Sequence, residues 1–280
     1  MHKFIFKYGV FFLLVVCTFN SMYSQDPTLV YIEDCYTMDS AYFEIKYEVE
    51  IIPDPSDTSS YYEDIQILQI GKNISKTFSY TNYQSDSIIS KCLKQGKPYP
   101  SKSLFATTYE IYKKFNTNTI DFIDIIYDEV FLYEESILKI NWQIQEDKKL
   151  ILYYMCQKAI AEFRGRMYEA WFTFDIPISD GPYKFTGLPG LILEIYDTQN
   201  HYNYKCIGVK PLNPMKPITI RDWKMITNTT REKHQALYKQ YYNNPFWLKI
   251  QQGMAISINI NGEDIDPGNF SLPYNPIELE

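Results

Sequence analysis

Two histidines in the body of the chain, His201 and His234, are the side chains suited to acid–base chemistry near neutral pH. An imidazole beside a serine, cysteine or acidic side chain could support hydrolysis through an activated nucleophile. The sequence contains no Gly-x-Ser-x-Gly and no His-Glu-x-x-His motif. A hydrolase that uses His201 or His234 is therefore an alternative hypothesis, and we assign no catalytic residue.

Acidic and sulfur side chains offer two further kinds of site. Asp197, His201 and Cys206 are close enough in sequence to share a metal ion. Adjacent carboxylates such as Glu134 and Glu135 are the residue type that glycosidases use in pairs. Neither pattern differs from ordinary solvated charge, so we predict no metal and no cofactor.

Two arginines flank a glycine in a predicted tight turn at residues 163–166. Arg164 and Arg166 could hold a carboxylate or a phosphate, because guanidinium groups bind these anions through paired hydrogen bonds. The alternative is a solvated hairpin turn whose arginines pair with nearby acidic residues. Trp171, on the following predicted strand, is either a surface platform or the wall of a cavity.

The segment at residues 187–192 has the pattern of a tight turn joined to a buried strand. Pro189 presets φ at the first central position of a type II turn, and Gly190 supplies the positive φ that the second requires. Gly187 leaves room for close approach of another backbone. We expect the turn to set strand register; the alternative is that Gly187, Pro189 and Gly190 line a ligand site.

Predicted strands and short turns surround these residues. Alternation of apolar and polar side chains predicts strands at residues 41–52, 65–70, 74–83, 120–133, 140–144, 150–163, 167–174, 191–196, 202–209 and 254–260. Helices are predicted at 85–95, 104–115 and 229–242, with a charged turn at 145–149 and breaks at Pro211, Pro214 and Pro217. The predicted fold class is α+β and mostly antiparallel β: a curved meander sheet or half-barrel with a few helices packed on one side.

The first 24 residues have the order of a secretory signal peptide. Lys3 and Lys7 precede an apolar run at residues 8–19, which small and polar residues follow. We expect cleavage after Ser24, which leaves residues 25–280 as one domain with no transmembrane helix. Removing Lys3 and Lys7 and no acidic residue changes the net charge from −7 to −9. This charge argues against nucleic acid as a partner.

Tyrosine and cysteine each leave alternatives open. The chain has 26 Tyr and 17 Phe, which indicates either a β-rich surface or an aromatic binding face for a peptide, glycan or lipid. Four cysteines follow the expected cleavage site: Cys35, Cys92, Cys156 and Cys206. An even number in an exported chain permits two disulfides, and the spacing leaves all three pairings open.

A series of segments in the second half of the chain resembles the GLPGLI family, which is named after the sequence found here at residues 187–192. The matching segments are residues 156–159, 163–166, 170–173, 176–178, 181–185 and 187–192, and residues 275–280 are similar to a common ending in that family. Tyr183 and Lys184 lie in one segment and complete the set of candidate ligand-binding residues. The resemblance implies an exported bacterial protein and brings no established reaction.

A looser resemblance concerns the fold. The predicted strand at 150–163, which leads to Trp171, is similar to exported half-barrel proteins of the LolA/RseB type. Those proteins hold an apolar ligand on the concave face of an antiparallel sheet. We therefore expect an exported envelope protein, periplasmic or extracellular in a Gram-negative bacterium. It would bind an apolar or peptide-like ligand, or an outer-membrane protein, without catalysis; a purely structural envelope protein is a further alternative.

Overall fold

An open, curved and mostly antiparallel sheet of twelve strands is the main feature of the computed structural model, which describes residues 13–17, 31–100, 106–253, 256–260 and 263–280. The predicted signal peptide lies outside the described residues except for 13–17, whose backbone forms a strand. The expected cleavage site also lies outside them. No helix in the described ranges has the length and apolar character needed to cross a membrane.

Fifteen strands and three helices are present in these ranges. The strands are β1 (Leu13–Cys17), β2 (Cys35–Ile51), β3 (Tyr62–Gly71), β4 (Ile74–Ser79), β5 (Glu110–Lys114), β6 (Thr119–Ile126), β7 (Glu129–Ser136), β8 (Gln143–Ile151), β9 (Tyr154–Phe163), β10 (Arg166–Thr173), β11 (Leu191–Asp197), β12 (Tyr202–Arg221), β13 (Thr227–Asn228), β14 (Ile256–Ile260) and β15 (Glu263–Ile265). The helices are α1 (Tyr80–Lys94), α2 (Arg231–Asn243) and α3 (Trp247–Gln251), and a short 3₁₀ turn spans Pro267–Asn269.

The strand order of the large sheet is β13-β7-β6-β5-β4-β3-β2-β12-β11-β10-β9-β8. Its strand pairs are antiparallel except for the short contact between β13 and β7. A separate small sheet has the order β1-β14-β15. The prediction of a mostly antiparallel sheet with few helices is therefore confirmed, and β8 forms one edge of the large sheet.

Strand β2 shows why this sequence forms strands. Ile45, Tyr47, Val49 and Ile51 recur at every second position and are buried, whereas the residues between them are partly exposed. Burial of each such side chain stabilises the fold by about 1.5–3 kcal/mol. Tyrosines are also among the largest fully buried side chains, so part of the high tyrosine content lies in the core rather than on a surface or binding face. Examples are Tyr47, Tyr112, Tyr168 and Tyr204.

The inner side of the curved sheet is filled by the loop between β10 and β11, residues 174–190. Phe185 in this loop packs against Phe163 of β9 with ring centroids 5.1 Å apart, and Tyr183 packs edge-on against Phe122 of β6. Strands that are far apart in the sheet thus share one core through this loop. Lys113 of β5 anchors the loop, because its buried ammonium group pairs with Asp180 and donates to the Gly181 carbonyl at 2.7 Å.

Several local predictions need correction. The helix predicted at 104–115 lies partly outside the described residues, and its described end forms strand β5. The single strand predicted at 120–133 is the hairpin of β6 and β7, because Tyr127 and Asp128 take positive φ values of 53° and 60° that suit a tight hairpin turn. Helix α1 begins earlier than predicted, since the side chain of Ser79 accepts the hydrogen bond that caps it.

Two predicted interruptions lie inside strands. The charged turn at 145–149 belongs to β8, where the register shifts between Ile144 and Lys148. The prolines at 211, 214 and 217 lie within β12, which pairs with β2 over its length through a register shift between Pro211 and Lys216. Bulges accommodate residues that cannot join a regular ladder, so neither charge nor proline ends these strands.

Candidate functional site

Arg166 begins strand β10 and extends into the protein interior. It is 4% exposed, and its guanidinium group donates to Asp197 at 3.1 Å, to the Asn275 side chain at 2.6 Å and to the Pro276 carbonyl at 2.7 Å. The guanidinium carbon also lies 5.2 Å from the ring centroid of Tyr202. For Arg166 the solvated-turn interpretation is therefore wrong, because distant parts of the chain bury it and supply its partners.

The turn between β11 and β12 fixes the carboxylate that pairs with Arg166. One oxygen of Asp197 accepts from the backbone N–H groups of His201 at 2.7 Å and Tyr202 at 2.8 Å. The other oxygen is left for Arg166. The Nδ1 atom of His201, which is buried in the same turn, lies 3.3 Å from Arg166. The local turn geometry thus holds the arginine in place from one side.

Lys184 and Tyr183 converge on one carboxylate near the end of the described chain. The Glu278 carboxylate accepts from the Tyr183 hydroxyl and from the Lys184 ammonium group, both at 2.6 Å. Lys184 also contacts Glu135 at 2.5 Å and the Tyr133 hydroxyl at 2.9 Å. All of these side chains except Glu135 are among the buried residues.

Two further arginines complete the charged cluster. Arg164 lies 2.8 Å from Glu135 and 3.8 Å from Glu278, and Arg231 of α2 lies 2.7 Å from Glu278. Burial opposes ionisation of Glu278, but the charge of Lys184 and the hydrogen bonds from Lys184 and Tyr183 outweigh it and lower the pKa of Glu278 to about 2. The cluster therefore holds three cations against two carboxylates.

Residues 275–280 lie across these side chains as an irregular segment with a bend at Ile277, in a channel that we call the segment groove. The Tyr202 hydroxyl donates to the Asn275 carbonyl, Arg166 donates to the Pro276 carbonyl, and the Tyr168 hydroxyl donates to the Ile277 carbonyl at 3.3 Å. The groove is formed by Arg164, Arg166, Tyr168, Tyr183, Lys184, Tyr202 and Arg231.

The segment is held by side chains of the groove and does not form a strand. The Asn275 side chain also donates to the Ile52 carbonyl at 2.7 Å, and the Leu279 N–H donates to the Arg164 carbonyl at 2.9 Å. Asn275 and Glu278 are buried, whereas Leu279 and Glu280 are exposed. The Glu280 carbonyl also accepts from the side chains of Arg231 and Gln235. The segment is therefore held through backbone groups along its length and through the side chains of Asn275 and Glu278.

The turn at 187–192 has a different geometry from the prediction. The positive φ, +96°, occurs at Gly187 and not at Gly190, so the predicted type II turn is wrong. Gly190 is needed because a Cβ atom there would lie 2.0 Å from the Thr173 carbonyl oxygen. Leu188 and Gly190 are buried, while Gly187 and Pro189 are exposed. The motif therefore packs the loop tightly against β10.

Trp171 lies on the opposite face of β10 from the buried Tyr168 and Phe172, beneath two lysines. The Lys149 ammonium group is 4.2 Å from its ring centroid and the Lys158 ammonium group is 5.9 Å away. Each lysine is paired at 2.5 Å, Lys149 with Glu194 and Lys158 with Glu169. The indole is 8% exposed, so it is not an open surface platform.

The two histidines have acidic or cationic partners rather than nucleophiles. His234 Nε2 lies 3.1 Å from Asp124, and the Thr108 hydroxyl donates to that same carboxylate at 2.5 Å instead of to the imidazole. His201 contacts Arg166. Within the ranges that the structure describes, no group of three His, Cys, Asp or Glu side chains is placed to hold a metal ion.

Cys35, Cys92, Cys156 and Cys206 are free thiols in the structure, so neither of the two permitted disulfides is formed. Strands β10 and β11 separate Cys156 on β9 from Cys206 on β12, a separation larger than a disulfide spans. Burial raises the pKa of Cys156 to about 12 and that of Cys206 to about 11. Both thiols are therefore poor nucleophiles near neutral pH.

A second surface lies at one edge of the β8–β9–β10 region, where β8 and β10 end and β9 begins. We call this surface the hairpin tip. It consists of exposed apolar residues: Leu150 (64% exposed), Leu152 (40%), Tyr153 (93%), Met155 (53%) and Phe174 (54%). Elsewhere on the same three strands is a groove of about 490 Å³, lined by Asn141, Gln143, Ile160, Ala161, Glu162, Arg164 and Met167. This part of the sheet therefore offers both an apolar projection and a concave polar surface.

Comparison with known proteins gives one short family match. A family model described as a protein of unknown function (Porph_ging) matches residues 162–194. That range contains β10, the start of β11 and the loop between them at residues 174–190, which we call the interior loop. Tyr183, Lys184 and the start of the 187–192 turn lie in this loop. The matched range includes most of the segments that resemble the GLPGLI family. No curated protein matches.

Among solved structures, PNGF-II in the P21 and C2 space groups is similar to this chain. Each of the two structures has 14% sequence identity to the chain and a TM-score of 0.46. Each match covers 73% of this chain and 34% of the PNGF-II chain, so this chain spans about a third of that protein's length.

Proposed function

We propose that this protein is a GLPGLI-type protein exported to the cell envelope of a Gram-negative bacterium, where it binds an extended peptide segment of a partner protein without catalysis. The observation that carries the proposal is the hairpin tip beside the edge strand β8. In this proposal the sheet is a half-barrel whose inner side is already filled by its own loop, so the ligand binds at the edge.

The backbone of β8 can accept an added strand. A two-residue turn joins Ile151 to Tyr154, and residues that flank such a turn bond to each other across the hairpin. Antiparallel pairing alternates, so Lys148 and Leu150 direct their N–H and C=O groups away from β9. Because β8 is the last strand of the described sheet, these groups face its edge.

The hairpin tip supplies the apolar surface that such a ligand would cover. Leu150 pairs with Met155, and Thr173 pairs with Cys156, which sets Phe174 beside Met155. Three neighbouring strands thus present one exposed apolar row, and contiguous apolar surface is typical of interaction sites. The register shift after Ile144 contains Glu146 and Asp147, which restricts strand addition to residues 148–151.

The proposal is tested by photo-crosslinking in bacterial cells, with Tyr153 replaced by p-benzoylphenylalanine. We expect a discrete adduct with a partner protein that does not form when the same probe replaces Tyr36, which is 61% exposed on β2. Lys148→Pro removes the outward N–H group and should abolish the adduct. Lys148→Ala removes the side chain but keeps that N–H group, and should preserve it.

Two outcomes would contradict the proposal. Equal adducts from positions 153 and 36 would show that the tip has no selective partner. An adduct that survives Lys148→Pro in a folded chain would show that β8 does not receive a strand. Circular dichroism and urea unfolding of each variant establish that it is folded before the crosslinks are compared.

A further inference from the structure

We propose that the segment groove is a recognition site for an acidic peptide of the form Asn-Pro-apolar-Glu, and that residues 275–280 are its resident, exchangeable ligand. The inference does not rest on the proposed function. The groove surrounds Arg166 at the start of β10, whereas Phe174 of the hairpin tip follows the end of that strand.

Three cations of the groove keep partners of their own without the segment. Arg166 retains its ion pair with Asp197, and Lys184 retains Glu135 and the Tyr133 hydroxyl. Arg164 also retains Glu135. A binding surface whose side chains are held in place before the ligand arrives loses less entropy on binding.

The charge of the groove selects an acidic ligand. Without the segment, Arg164, Lys184 and Arg231 face the single carboxylate of Glu135. Glu278 enters this cationic surface and contacts Lys184 and Arg231 at 2.6 and 2.7 Å. A buried cationic cluster with one acid gains most from a carboxylate placed at this position.

The other sequence preferences follow from the remaining contacts. The Asn275 side chain accepts from Arg166 and donates to the Ile52 carbonyl, so both ends of its amide are used. The residue at 276 needs no N–H group, since its recognised atom is the carbonyl that Arg166 binds twice, at 2.7 and 3.2 Å. Proline fits this position because it presents a carbonyl and restricts φ.

The test uses the full chain with Glu278→Lys, which puts a fourth cation into the groove and should displace the resident segment. Glu280→Lys is the matched control, because the same charge change falls at an exposed position. A fluorescein-labelled peptide, Tyr-Asn-Pro-Ile-Glu-Leu-Glu, is titrated against both proteins and followed by fluorescence anisotropy. We expect the Glu278→Lys chain to bind this peptide. The affinity of the control for the same peptide should be lower by roughly ten-fold or more.

Peptide variants test the specificity. Replacement of the peptide residue equivalent to Glu278 by Gln should weaken binding roughly ten-fold or more, and the same change at the position of Glu280 should leave it within about two-fold. A folded Glu278→Lys chain that does not bind the peptide would overturn the proposal. Equal loss from the two Gln peptides would overturn it too, since general charge attraction would then explain the binding.

Native-state hydrogen exchange on the unaltered chain gives an independent answer, including the case in which Glu278→Lys does not fold. The Leu279 N–H, which donates to the Arg164 carbonyl, should exchange through a local opening well before the amides of β2. If Leu279 exchanges only with global unfolding, the segment is a fixed part of the fold and the proposal fails.

Discussion

The segment groove and the hairpin tip lie near opposite ends of β10, and they differ in what the chain itself supplies. In the groove, Arg166 and Lys184 are buried and hydrogen-bonded to residues far away in sequence. At the tip, Leu150, Met155 and Phe174 are more than half exposed. Removal of a partner in the groove should therefore cost stability, whereas a change at the tip should affect association.

The largest effect should follow Arg166→Met. This substitution leaves the buried Asp197 carboxylate without its cation and removes the donors to Asn275 and Pro276, so the free energy of unfolding should fall by about 3–5 kcal/mol. Arg164→Met should cost about 1 kcal/mol, because Arg164 is only partly buried and Glu135 retains Lys184. Urea unfolding measures both, and equal losses would contradict the difference in burial on which the comparison rests.

An intermediate effect should appear in how the free energy of unfolding changes at acid pH. The pKa of Glu278 is lowered to about 2 in the folded chain from an ordinary value of 4.5, so its stabilisation is present above pH 4.5 and is lost as the pH falls towards 2. Unfolding in urea at pH 7, 5, 4 and 3 should show this loss.

Glu278→Gln should reduce the pH dependence by roughly 1–3 kcal/mol over that range. Some dependence should remain, because the pKa of Glu110 is also about 2: burial opposes its ionisation, but Lys76 and Arg221 outweigh this. An unchanged pH profile in Glu278→Gln would mean that Glu278 is not held by these cations.

The smallest effect on stability should come from the hairpin tip. A double variant with Leu150→Ser and Met155→Ser should change the free energy of unfolding by less than about 0.5 kcal/mol, because both side chains are exposed. The same double variant should abolish the crosslink from position 153. Ile151→Ser, at a buried neighbouring position, should cost about 2–4 kcal/mol and serves as the contrast in the same urea experiment. A large loss from the exposed pair would place the tip in the core instead.

Strand patterns were readable from the sequence wherever one face is buried. The alternation in β2 is an example, because its buried positions from Ile45 to Ile51 repeat at every second residue. The same reasoning failed at residues 145–149 and at Pro211, where charge and proline indicated breaks. Bulges accommodate both the charged residues and the proline within continuous strands. The position of a bulge depends on the partner strand, which the local sequence does not specify.

Only part of the candidate site could be predicted from the sequence. Arg164, Arg166, Tyr183 and Lys184 were selected from the sequence, and the structure brings them together around residues 275–280. Trp171, Gly187, Pro189 and Gly190 were selected with them, but their described contacts belong to the packing of β10 and the interior loop. Their roles in ligand binding remain predictions.

The acidic and basic partners Glu135, Glu278 and Arg231 were missed. Glu135 was seen only as one of two adjacent carboxylates, and Glu278 lies 94 residues from Lys184 in the chain. Spacing carries no information about contacts of this length. The usable signal was the arginine pair itself, since buried cations require carboxylates somewhere in the fold.

The docking of residues 275–280 also has a consequence for the order of folding. Its contacts reach back to Ile52, 223 residues earlier, and to Arg166, Tyr168 and Lys184. Contacts of such long range form late, because the intervening chain must already be ordered. Insertion of these six residues is then a late folding step, one that a chaperone or a truncation could intercept.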